Sequence, residues 1–162
     1  MTEKLKVLIV EDHRVTQKLF DTSLNSKIFE KKFAFNGEEA LALYREFKPD
    51  IILLDIMLPV VSGYAVLKEI REKEEDKSTV IIISSSLLSR QDIMDCARMG
   101  IQGYMIKPLN FRELAQKILE YYAKSLPERS QVVARVLKDM PLSVDSGTEA
   151  VPAEKAETAD KE

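Results

Sequence analysis

The sequence predicts an α/β fold: a doubly wound, five-stranded parallel sheet with five helices packed on its two faces. Three observations predict it. Short continuous aliphatic runs recur along the chain, segments with helical apolar spacing fall between them, and helix start and stop signals sit at the junctions.

The runs at 6–10, 51–54 and 80–83 are bounded by polar residues and carry no alternation, which suits strands covered on both faces. Weaker strand candidates at 32–35 and 103–106 bring the number to five. The first helix is expected over 14–26, where Val15, Leu19, Phe20 and Leu24 share a face. The second spans 38–47 with Leu41, Tyr44 and Phe47, and the third 64–74 with Val66, Leu67 and Ile70. The last two cover 91–99 and 111–124. Asn36, Ser89 and Asn110 each stand three residues ahead of an acid, as capping residues do. Gly100 closes the fourth helix and Pro49 leads into the third strand. Strict alternation implies right-handed crossovers, and in such sheets ligands bind beyond the carboxyl ends of the strands.

With 162 residues, the chain suits one domain of ordinary size. It is 45% hydrophobic and 31% charged, as soluble globular proteins are. Residues 1–124 hold 19 basic and 19 acidic side chains, so the net charge of −3 arises in residues 125–162, with 5 basic and 8 acidic. No basic footprint for nucleic acid is evident. Cys96 is the single cysteine, which excludes an internal disulfide and a Cys-rich metal site and suits a reducing compartment. The longest apolar runs are four residues, too short for a membrane span or a secretory core, so a cytoplasmic location is expected.

Just past the strong strands stand Glu11 and Asp12, then Asp55, then Ser84 and Ser85, and past the fifth stands Lys107. Three carboxylates at one edge repel each other unless a cation neutralises them. A hard divalent ion such as Mg²⁺ suits oxygen donors that leave room for waters and phosphate oxygens, and an ammonium suits a phosphoryl oxygen.

These residues stand in recurring contexts: Val7-Leu-Ile-Val-Glu11-Asp12, then Lys48-Pro-Asp-Ile-Ile-Leu-Leu-Asp55-Ile-Met-Leu-Pro59 with Gly63 following, then Ile81-Ile-Ile-Ser-Ser85-Ser86, and Gly103-Tyr104-Met-Ile-Lys107-Pro108. Asp12 and Asp55 are 43 residues apart, Asp55 and Ser85 30, and Ser85 and Lys107 22. In content, order and spacing the chain over about residues 4–124 resembles the receiver domain of two-component response regulators. The resemblance implies a flavodoxin-like sheet of strand order 2-1-3-4-5, with Asp55 as phosphoacceptor. It implies Mg²⁺ held by Glu11, Asp12, Asp55 and the Met57 backbone carbonyl, Glu11 acting mainly through a water. Lys107 and Ser85 are implied to contact the phosphoryl oxygens, Pro108 to follow a cis peptide, and Ser85 with Tyr104 to form the switch. The implied phosphodonor is a sensor histidine kinase or phosphotransfer protein. The chain is then expected to be a phosphoacceptor signalling protein rather than an enzyme acting on other substrates.

Each residue also has a plainer reading. An aspartate ending a strand is often a turn cap, three serines compete for one hydroxyl role, and Tyr104 suits a half-buried edge aromatic. His13, the only histidine, reads as a surface residue opening the first helix, and Cys96 as a small core residue. Val60-Val61-Ser62 departs from the family's more polar lead into Gly63, and Ser86 stands where Ala is common. A receiver-like module working without phosphate is the chief rival. An aspartyl-phosphate phosphatase would want an acid where Met57 stands, and Glu11-Asp12 would repel a flavin phosphate.

Residues 125–142 read as a linker with a short amphipathic helix, since Val132, Val133, Val136, Leu137 and Met140 share a face between Pro127 and Pro141. That face either docks on its own domain or meets a partner, a second copy of the chain included. Residues 143–162 are polar and acidic and are expected to be disordered. With no room for an output domain, the output is expected to be contact with an unknown downstream protein.

Overall fold

The computed structural model describes residues 3–86 and 89–138. Strands β1 (Leu5–Val10), β2 (Phe29–Ala34), β3 (Ile51–Leu54), β4 (Val80–Ser85) and β5 (Gly103–Ile106) form one sheet in the order β2-β1-β3-β4-β5. Every neighbouring pair is parallel. The helices are α1 (Arg14–Ser23), α2 (Gly37–Phe47), α3 (Gly63–Lys68), α4 (Arg90–Met99), α5 (Leu114–Ser125) and α6 (Arg129–Lys138), with α3 continuing into a π-helical turn, Glu69–Lys73. The fold class is as expected. The described residues form six helices rather than five, the sixth lying in the stretch after α5.

The unbroken aliphatic runs are explained by two cores, one on each face. Val7, Ile9, Ile51, Leu53, Val80 and Ile82 point to one side, where Phe20 of α1, Leu114 and Ile118 of α5 and Val136 of α6 cover them. Leu8, Val10, Ile52, Leu54, Ile81 and Ile83 point to the other, against Ala40 of α2, Val66 and Leu67 of α3 and Cys96 of α4. Each such aliphatic side chain, fully buried, contributes about 1.5–3 kcal/mol.

Differences from the expected elements have local causes. β2 begins at Phe29 and stops before Phe35, because its register is set by β1, from Leu5 opposite Phe29 to Val10 opposite Ala34. Its inward-facing Lys31 breaks the apolar pattern, so the sequence marks only the later part of this strand. The Lys31 amine is satisfied by the Asp21 and Leu24 carbonyls and the Asp21 carboxylate at the end of α1. α1 ends at Ser23 because Asn25 turns the chain, its side chain accepting from the Lys27 N–H and its carbonyl from the Ile28 N–H. The expected apolar face of α1 is only half right. Phe20 and Leu24 are buried, but Val15 is 75% exposed, and buried Gln17 takes an inward position instead. α5 starts at Leu114, since Asn110 closes a turn over 110–113 rather than capping the helix directly. Asn36 and Ser89 do cap α2 and α4, Ser89 in a reciprocal box with Asp92.

α6 packs on the core rather than standing free: Val136 is buried, and Val132 and Val133 lie partly buried against it. Leu137 faces outward, and Met140 with residues 143–162 lies outside the described residues.

Candidate functional site

The backbone ladder runs one residue past the strands and so delivers the polar side chains to one edge. The Glu11 N–H donates to the Ala34 carbonyl, the Asp55 N–H to that of Val10, and the Lys107 N–H to that of Ser85, each at 3.0–3.2 Å. Glu11 after β1, Asp55 after β3 and Ser85 at the end of β4 thus converge, and Lys107 reaches across from β5. Its ammonium donates to Glu11 Oε2 at 2.5 Å and to Asp55 Oδ2 at 2.8 Å. Glu11 is 1% and Asp55 5% exposed. The Lys107–Pro108 peptide is cis.

Burial alone would pull the Lys107 pKa down, but the hydrogen bonds to Asp55 and Glu11 outweigh it and hold the ammonium above its usual range. With Asp12, the edge carries three carboxylates against one ammonium among the described residues, an excess of two negative charges with His13 neutral.

Several contacts fix the acceptor loop. The Met57 N–H donates to Asp55 Oδ1 at 2.9 Å, and the Gly63 N–H donates to the Ile56 carbonyl at 3.0 Å. Gly63 is required by proximity: a Cβ there would stand 1.9 Å from the Asp55 carbonyl oxygen. Gly37, opening α2, likewise admits the Val61 carbonyl, to which a Cβ would come within 2.1 Å. Between them Val60 sits at φ 69°, a left-handed conformation unusual for a β-branched residue. Gln17 supports the first carboxylate, its side-chain amide donating to the Glu11 carbonyl at 2.6 Å.

Two hydroxyls at the end of β4, those of Ser84 and Ser85, are fully enclosed and have no hydrogen-bond partner among the described residues. The alternation of β4 sends them to opposite faces: Ser84 follows Val80 and Ile82, and Ser85 follows Ile81 and Ile83. Tyr104 and Ile106 on β5 share the side of Ser85, and Tyr104 is 44% exposed.

Of the expected metal ligands, Glu11 and Asp12 converge, and His13 joins them, the three offering donor atoms within 4.8 Å of one another. Asp55 lies outside that group, its Oδ2 accepting from Lys107 and its Oδ1 from the Met57 N–H. The carboxylate oxygens, the uncompensated charge and the enclosed, unpartnered Ser85 hydroxyl fit a divalent cation with a phosphoryl group. Gln17 and Gly37 were not singled out for roles here by sequence reasoning, and Ser84 entered it only as a competitor of Ser85. A buried glutamine carries no periodic signal, and the closeness of Gly37 to Val61 joins distant stretches of chain.

Residues 7–119 match the model of the response regulator receiver domain. The chain is 36% identical over 115 residues to ycf27 of Guillardia theta, covering 71% of this chain and 44% of that one, so it spans less than half of that relative's length. It is 34% identical over 115 residues to the polar-differentiation response regulator DivK of Brucella anthropi, covering 71% of this chain and 94% of DivK. Among solved structures, the CheX–CheY–BeF₃–Mg²⁺ complex from Borrelia burgdorferi includes a chain that is 32% identical, with a TM-score of 0.66 over 72% of this chain and 87% of its own. No helix of the described residues is long and apolar enough to cross a membrane.

Proposed function

The chain belongs to the response regulator receiver domain family, and from that premise we propose that it is a phosphorylation-dependent switch whose phosphoryl group is carried on Asp55. The observation that carries this reading is the junction at Asp55. A nearly buried carboxylate is bonded to the Lys107 ammonium, and an enclosed hydroxyl without a partner, Ser85, stands at the same edge. The donor is a sensor histidine kinase or phosphotransfer protein in the cytoplasm.

In the transfer an Asp55 oxygen attacks phosphorus in line. The O–P bond forms as the donor's N–P bond breaks, and the imidazole leaves with the electron pair. Lys107 must release its carboxylate partners to meet a phosphoryl oxygen, and Ser85 gains the acceptor it lacks. Glu11, Asp12, Asp55 and the Met57 carbonyl are the groups to hold Mg²⁺, which supplies positive charge against the phosphoryl oxygens. Water later attacks phosphorus, returning carboxylate and inorganic phosphate, so the chain resets itself and turns over no other substrate.

Drawing Ser85 toward the phosphoryl group leaves room for the exposed Tyr104 ring to turn inward. Coupling of that kind is about 1–3 kcal/mol, enough to shift an existing equilibrium. The output is contact with a downstream protein, without direct binding of nucleic acid or insertion in a membrane. The test is acid-labile phosphate uptake from acetyl phosphate with Mg²⁺. Asp55→Asn is expected to abolish it, and undiminished uptake places the acceptor elsewhere.

A further inference from the structure

Away from the phosphate pocket, Arg71 in the π-helical turn is engaged by four acceptors, and none of them is a carboxylate. Nε donates to the Gly100 carbonyl at 2.9 Å and Nη1 to that of Asp76 at 2.6 Å, while Nη2 donates to that of Thr79 at 2.7 Å and to Gln102 Oε1 at 3.2 Å. Gly100 is the left-handed residue that ends α4, so the guanidinium sits at the negative end of that helix.

α4 is otherwise lightly held. Cys96 is its one fully buried side chain, where α5 buries four, and its first turn is capped on itself by Ser89 and Asp92. Its carboxyl end is therefore pinned by Arg71, and its amino end faces the phosphate edge.

The loop that Arg71 gathers also holds α6. The Ser78 carbonyl, between the two carbonyls that Arg71 grips, accepts from Arg129 Nη2 at 2.6 Å. The Arg129 guanidinium lies over the Tyr122 ring, 4.8 Å from its centroid, and donates to Ser125 Oγ at 2.8 Å. A planar guanidinium presents its donors in a fixed fork, so the acceptors cannot move independently.

We infer that Arg71 is a positioning residue that couples α4 to α6: displacement of the α4 end pulls the fork, shifts the 76–79 loop and loosens the hold of Ser78 on α6. The inference rests on the phosphate reading of the Asp55 site and requires α4 to shift when that site is loaded. The experiment is hydrogen exchange on the full chain with and without beryllofluoride and Mg²⁺, with bound fluoride followed by ¹⁹F NMR. In the unaltered chain the amides of α6 are expected to lose protection by about fivefold to a hundredfold when beryllofluoride binds. Arg71→Met should keep the bound fluoride signal and lose the α6 response. Arg129→Gln should keep the α4 response and lose that of α6, and it covers the case in which the Arg71 variant fails to fold. A bound signal with unchanged α6 exchange overturns the coupling, as does full transmission through Arg71→Met. Absence of any bound signal in the unaltered chain overturns the phosphate reading and the coupling with it.

Discussion

A hydroxyl enclosed without a partner costs about 1–3 kcal/mol, and β4 ends on two of them, Ser84 and Ser85. They point to opposite faces, so the proposed phosphoryl contact can account for one but not both. Ser84→Ala is expected to raise stability by about 1 kcal/mol, read as a higher urea midpoint, and to leave phosphate-dependent partner binding unchanged. Ser85→Ala should also raise stability while weakening the response to phosphorylation. Equal effects of both variants on that response would show the serine assignment to be wrong. Spacing from Asp55 already favoured Ser85 in the sequence, whereas the absence of a partner for either hydroxyl is visible only in the folded chain.

At the scale of elements, the β3–α3 loop and the 76–79 loop store opposite kinds of energy. Val60 holds a left-handed conformation that L-residues adopt at a cost of about 1–2 kcal/mol. Val60→Gly is expected to stabilise the fold by about 0.5–1 kcal/mol in urea titration, because relief of strain exceeds the added freedom of the unfolded chain. In the second loop, burial works against ionisation of Asp76, but hydrogen bonds from Thr79 and Tyr44 outweigh it and hold the carboxyl well below its usual range. A depressed carboxyl stabilises the fold above its unfolded value, about 3.9, and that contribution is lost as pH falls through the folded value. The urea midpoint should therefore drop below about pH 4, and Asp76→Asn should flatten that acid limb. An unaltered acid limb in the variant would assign the loss to other groups.

Across the whole molecule, α6 extends the core on the α1 and α5 face, at the end of the sheet away from Asp55. Its Arg129 reaches the Ser78 carbonyl just before β4 begins, while the phosphate edge lies where β4 ends. Val136→Asp places a charge in that core and is expected to cost about 2–4 kcal/mol in thermal or urea unfolding. Beryllofluoride binding at the other end of the sheet should persist at temperatures where the variant is folded. Loss of binding in the folded variant would mean that the phosphate pocket needs α6 docked in order to form.

By itself the sequence determined the order of strands and helices and the placing of Glu11, Asp12, Asp55, Ser85 and Lys107 at strand ends. Aliphatic runs, helical spacing and caps are local properties of neighbouring residues, and a parallel sheet turns them into a common edge. Tertiary structure alone decided that α1 buries Gln17 and exposes Val15, that Lys31 turns inward beneath the end of α1, and that α6 docks. It also decided that Lys107 bridges Glu11 and Asp55 and that Arg71 gathers four acceptors. Burial and ionic pairing depend on which distant segments come together, and no periodicity along the chain carries that information.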